Sequence, residues 1–296
     1  PRRARATVSN ADLRFVFVNN YGGWDPTRVF APEFSNDHVA MEPDAFVQTV
    51  GGLSYVGHSE RPSVDAFFAA HGDRSLLVNG MQVRSIAHEI CAMIALTGST
   101  SGANADWATV LAHSQQDRFT LPHLVLGGPS FPGSLGTALA RAGTNGQLER
   151  LLSGSILGYS ELAVDGVSLP AGGIIDAYVE SRAAARVLQS RSEVDAALAT
   201  AFAQSVNNAH GLADYRHIMD FTGGPTVADQ AQVAVDALST GLSRCVTLSM
   251  VPATAQGWDT HAENDDGQSP LWESLFVGLT QLMDLLATTP GDAGGS

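Results

Sequence analysis

The stretch RCVTLSMVP, residues 244–252, decides the fold. It is nearly continuous in hydrophobicity, broken only by the small polar Thr247 and Ser249, as suits a strand covered on both faces of a parallel sheet. Three further runs read the same way: LRFVFVNN (13–20), SLLVNGM (75–81) and HLVLGG (123–128). Helical periodicity falls between and after them, at 62–71, 84–97, 104–116, 227–242 and 269–287. Strand followed repeatedly by helix predicts an α/β fold, a doubly wound and mostly parallel sheet. A long Ala-, Leu- and Arg-rich stretch at 173–219 carries no strand signal and reads as a helical insertion, its approaches punctuated by GGPSFPGSLG (127–136) and TGGP (222–225).

Composition narrows the function classes. The 296 residues are 44% apolar, enough to bury one large core, so a single α/β domain over 7–290 is expected. The net charge is -14, with 30 acidic residues against 16 basic ones, all of them Arg. A like-charged field argues against a nucleic-acid or anionic-membrane partner. No apolar run reaches the length of a transmembrane segment. Cys91 and Cys245 are too few and too far apart for a disulfide framework and read as small buried hydrophobes. The opening PRRARATVSN holds a small-x-small pattern, Ala4-Arg5-Ala6, which reads either as the remnant of a cleaved export signal at 1–6 or as a disordered basic terminus.

Loops leaving the carboxyl ends of parallel strands converge on one edge, where ligands bind. Beyond the first run lies YGGWDPT (21–27) with Asp25; beyond the last lies GWDTH (257–261) with Asp259 and His261. Two carboxylates and an imidazole suit a divalent cation such as Zn, Mn or Ca, and an Asp-x-His triplet in an extended loop points its first and third side chains the same way. The competing reading makes both aspartates turn or cap acceptors and His261 a surface residue. Ser85 opens the expected 84–97 helix, either as its N-cap or as a nucleophile placed where the helix terminus favours negative charge. Arg84 beside it is a clamp for an ester oxyanion or a surface charge. His88 and Glu89 read as solvated or structural.

Taken in order, FVNNYGGWDPTRVFAP, VRSIAHE followed by LTGS, ADWATVLA, LPHLVLGGPSFPG, and GWDTHAEND followed by LWESLFVGLTQLMDLL resemble the DUF1501 family of exported bacterial proteins, placed in the alkaline phosphatase and sulfatase superfamily. The likeness runs from about residue 13 to 288. It implies an alkaline-phosphatase-like sandwich with a metal centre at the carboxyl edge, Asp25 at the first metal-binding aspartate, Asp259 and His261 at the second acidic and imidazole ligands, and Ser85 near the nucleophile position. It also implies a twin-arginine export signal and a periplasmic or extracellular location. Two departures stand out. Relatives place His directly after the serine, whereas this chain reads Ser85-Ile86-Ala87-His88, and they continue into a further strand and an Asp-His pair past the position of Ser296. Two function classes follow: an exported metal-dependent hydrolase of phosphate or sulfate esters acting on a small anionic ester, incomplete at its C-terminus; or a non-catalytic assembly component, a homo-oligomer or one whose missing half is a second chain, that binds a protein partner through this fold.

Overall fold

A computed structural model describes residues 9–142, 173–212, 215, 225–250 and 257–289. Its centre is a four-stranded, wholly parallel sheet in the order β1 (Phe15–Asn19), β6 (Cys245–Ser249), β4 (His123–Val125), β5 (Leu139–Arg141). Phe15 lies opposite Cys245 and Asn19 opposite Ser249, so β1 and β6 end level with one another. An antiparallel hairpin of β2 (Phe46–Val50) and β3 (Leu53–Gly57) stands apart from the sheet.

The continuous hydrophobicity of the 244–252 run has its expected cause. All five residues of β6 are buried. Val246 and Leu248 enter the main core, where Val16 and Val18 of β1 and helices α6 (Val227–Ser239) and α7 (Asn264–Thr288) meet them. Cys245 turns to the opposite face and joins Phe15, Phe17 and helix α3 (Trp107–His113) through Ala108 and Ala112. Successive Cβ atoms alternate across a strand, so a strand clothed on both sides buries every side chain, here including the small polar Thr247 and Ser249. The remaining helices among the described residues are α1 (Pro62–His71), α2 (His88–Thr97), α4 (Gly173–Leu188) and α5 (Glu193–Leu212). The last two pack on one another within the stretch read as an insertion. Residues 1–6, 222–224 and 290–296 lie outside the described residues, as does part of 213–219.

On the α3 face one polar group is buried deliberately. His123, 1% exposed, lies between the Thr109 hydroxyl at 3.0 Å from Nδ1 and the Thr247 hydroxyl at 2.8 Å from Nε2. Burial pushes its pKa down to about 4; Asp106 opposes that shift and Arg141 adds to it. Both ring nitrogens have partners, so the imidazole is a neutral core residue tying α3 to two strands.

Several expectations need correction. The 75–81 run forms no ladder: Leu77 packs against the core, but Leu76, Val78 and Met81 face solvent, so composition resembling a strand lacks the second covered face. The expected 84–97 helix begins at His88 with Ala87 at the N-cap position, which leaves Ser85 in the preceding loop, accepting the Ala87 N–H at 3.2 Å. The last helix starts at Asn264, five residues before the expected 269, with Asp265 and Asp266 in its first turn, where negative charge favours a helix terminus. Cys91 and Cys245 are free, and Cys245 is fully buried. No helix among the described residues is long and apolar enough to cross a membrane.

Candidate metal centre

The loops carrying the two Trp-Asp pairs touch. Gly22 holds φ +128°, and a Cβ there would lie 3.0 Å from Trp258 Cβ; one on Gly23 would lie 3.0 Å from Asp259 Oδ1. The glycine pair in YGGWDPT therefore allows a backbone approach that side chains would block. Gln268 of α7, fully buried, locks the two loops together. Its Oε1 accepts the Asp25 N–H at 2.8 Å, and its Nε2 lies 3.0 Å from Gly23 O, 3.0 Å from Trp258 O and 2.9 Å from Thr260 Oγ1.

The indoles turn inward while the carboxylates stay at the rim. Trp24 and Trp258 stand edge-on to Trp272, with ring centroids 5.4 and 5.0 Å away. Such T-shaped contacts add to the apolar burial of large rings. Each Trp-Asp pair thus anchors its loop with the ring and presents the neighbouring carboxylate.

The two carboxylates have different duties. Asp25 caps the short 3-10 turn Pro26–Arg28: Oδ1 accepts from Thr27 N at 2.9 Å and Thr27 Oγ1 at 2.7 Å. Its Oδ2 accepts from Asn264 Nδ2 at 3.0 Å and lies 3.6 Å from Arg28 Nε. Both oxygens are engaged, so the capping duty of Asp25 is observed. Asp259 is different. Its Oδ2 faces two imidazoles at once, His88 Nε2 at 3.2 Å and His261 Nε2 at 3.1 Å. Side-chain exposures of 37% for His88, 39% for Asp259 and 85% for His261 leave the group open to solvent. The two imidazoles share one carboxylate oxygen at hydrogen-bond distance without their own ligand atoms coming within 4.8 Å of each other, so the donors are of metal-binding type but do not converge on one point as placed.

A second group has the same elements but less freedom. Glu42, His58 and Glu60 each bring a ligand atom within 4.8 Å of the others and could hold a metal ion. The ligand atoms of His88, Asp259 and His261 do not all come within that distance. Yet Arg61 grips Glu42 at both oxygens, 2.9 and 2.7 Å, and Ser269 Oγ donates to it at 3.2 Å. Burial pushes the Glu42 carboxyl up, but the hydrogen bonds and charge of Arg61, followed by His58 and Arg28, outweigh this and leave its pKa lowered. His58 accepts the Glu60 N–H at Nδ1, 3.2 Å, and its Nε2 lies 3.1 Å from Pro43 O. An ion here would have to displace a buried guanidinium, and leaving that charge unpaired is strongly destabilising. The group reads as a structural network tying the 42–61 region to α7.

Of the sequence candidates, Asp259 and His261 come together, Asp25 sits in the adjoining loop as a positioning residue, and Ser85 and Arg84 lie in the segment leading to His88. His88, read from sequence as structural, is the added member. Its signal was its place at the head of an apolar helix, with Ala92 and Leu96 following at four-residue spacing. Tyr21 joins the same neighbourhood: its ring lies 6.1 Å from that of His88, and desolvation, then the charge of and hydrogen bond to Glu89, raise its pKa. Nothing in the sequence marks Gln268 or Asn264, whose amides reach the Trp-Asp loops only through tertiary packing.

No protein-family profile, curated protein or solved structure matches this chain.

Proposed function

We propose that the chain is an exported, metal-dependent hydrolase of phosphate or sulfate esters, built on an alkaline-phosphatase-like sheet and active in the periplasm or outside the cell. The observation that carries this reading is the approach of His88 and His261 to one oxygen of Asp259 at the carboxyl edge of a parallel sheet. The ordered resemblance to the DUF1501 family supports it from the sequence side.

His88, Asp259 and His261 would hold a divalent cation of the Zn or Mn kind. Such an ion supplies positive charge that stabilises developing oxyanions and favours ionisation of a nucleophile. The protein residues do the rest. Gln268 and the Gly22–Gly23 approach fix the separation of the two loops, and Asp25 with Asn264 fixes the start of α7 beneath them. Ser85, whose hydroxyl oxygen already accepts the Ala87 N–H, is the candidate nucleophile, and Arg84 the candidate clamp for an ester oxygen. A chain of net charge -14 repels an anionic ester until a cation occupies the site, so ion and substrate are expected to bind in that order.

The experiment is metal analysis of the purified protein combined with turnover of phosphate and sulfate esters. Bound metal and turnover, both lost in Asp259→Ala, are expected; neither in the wild-type protein would remove the reading. A second reading, a non-catalytic assembly component, draws on one observation. Val194, Leu198 and Phe202 recur every four residues along α5, each more than half exposed, and Ile174 and Tyr178 do the same on α4. A stable oligomer or tightly held subunit in a protein without turnover would favour it.

A further inference from the structure

On the far side of Tyr21 from His88 lies a cavity of ≈ 370 Å³ that Tyr21 helps to line. Val18 and Asn19 at the end of β1, Trp24 and Phe30 from the loop that follows, and Leu275 and Leu279 of α7 form one side. Helix α2 forms the other, through Ala92, Ala95 and Leu96. These positions fall one and two turns beyond His88, so His88 and the cavity wall share a stripe of a single helix. Tyr21 is common to both places: it lines the cavity and its ring is 6.1 Å from that of His88. Tyr21 and helix α2 therefore link the cavity to the imidazole-carboxylate group, although His88, Asp259 and His261 are not among the residues that line it.

We propose that this cavity binds the organic portion of the substrate, a neutral, flat ring system, and presents its ester group to His88, Asp259 and His261. The role given to the cavity rests on the hydrolase reading; its capacity to bind a ring does not. Size sets the first condition. A dry cavity of about 150 Å³ accommodates benzene, so ≈ 370 Å³ leaves room for two fused rings. Small side chains at Ala92 and Ala95 create that space, since longer ones at the same positions would reach across it. Chemistry sets the second condition. Trp24 and Phe30 stand edge-to-face, centroids 5.9 Å apart, and with Tyr21 they offer ring faces and edges to an aromatic guest. Glu89 acts on the Tyr21 hydroxyl and raises its pKa, which places a carboxylate near the wall and disfavours an anionic occupant. A mostly apolar pocket with a few polar groups at one end is the usual form of a small-molecule site.

The test uses metal-free protein and calorimetric titration with phenol and 2-naphthol, neither of which needs a cation or undergoes turnover. Saturable binding is expected, tighter for 2-naphthol by about tenfold from the added apolar surface. Ala92→Phe, at a half-exposed helical position, should fill the space and weaken 2-naphthol binding by at least about tenfold while leaving divalent-cation binding intact. Ala95→Phe carries the same expectation should Ala92→Phe fail to fold. No saturable binding to the wild-type protein, equal affinity for the two rings, or undiminished binding to the filled variant would overturn the proposal. Arene binding without any metal binding would instead leave the cavity standing and remove the hydrolase reading.

Discussion

Replacing Gln268 by Leu should both destabilise the protein and loosen the metal centre. The side chain is 0% exposed and engages four groups from the two Trp-Asp loops: Asp25 N, Gly23 O, Trp258 O and Thr260 Oγ1. Leucine nearly matches its volume, so little cavity cost arises, but the backbone groups lose their partner in a dry place. An orphaned buried donor or acceptor costs about 1–3 kcal/mol. With some groups recovering water at the rim, the total should be about 3–5 kcal/mol. Urea denaturation followed by tryptophan fluorescence measures it, since Trp24, Trp258 and Trp272 all report on this junction. Gln268→Glu keeps an acceptor for the Asp25 N–H but turns a carboxylate oxygen toward the Gly23 and Trp258 carbonyls in a dry place, and should cost at least as much as the leucine variant. A loss below about 1 kcal/mol for Gln268→Leu would show that the loops are not held together by this residue.

Other outcomes follow from the same geometry. Gly22→Ala, at φ +128° with Trp258 Cβ 3.0 Å from the new methyl, should cost about 1–3 kcal/mol in the same assay. Asp25→Ala should lower stability by about 0.5–2 kcal/mol through loss of a cap, while metal affinity falls far less than in Asp259→Ala, measured by unfolding and metal titration in parallel. For His123, with a folded pKa of about 4 against an ordinary 6.5, the unfolded chain binds the extra proton between those values. Stability is therefore whole above pH 6.5 and falls as the pH drops toward 4, by at most about 1.4 kcal/mol per pH unit from this group. His123→Gln should lose that contribution to the acid limb of the unfolding free energy; an unchanged limb would refute the assignment.

The parts of the fold legible in the sequence are those where one pattern has one physical cause. The runs at 13–20, 123–128 and 244–252 contain β1, β4 and β6 because strands sandwiched between helices are mostly apolar, their few buried polar groups, such as His123 and Thr247, being paired with each other. The 75–81 run misleads for the same reason: composition does not reveal whether a ladder partner exists, and most of its apolar side chains face solvent. The β2–β3 hairpin was legible in principle. Gly51 and Gly52, at φ +58° and +87°, make the two-residue turn that its twist favours, between two β-rich runs. Three-residue β5 gives no period to read.

At the site, Asp259 and His261 were visible because they are two residues apart, whereas His88 reaches them only through tertiary packing. Asp25 carried both a ligand reading and a cap reading; the local Thr27 hydrogen bonds establish the cap, and the Asn264 contact comes only with α7 starting at Asn264.

The most direct test of the central claim is titration of metal-free protein with Zn²⁺ and Mn²⁺, comparing wild type with His88→Ala, Asp259→Ala and Asp25→Ala. The account predicts one saturable site in the wild-type protein, abolished by Asp259→Ala, weakened at least about tenfold by His88→Ala, and largely kept by Asp25→Ala. Wild-type affinity in His88→Ala, or no saturable site at all, would contradict it.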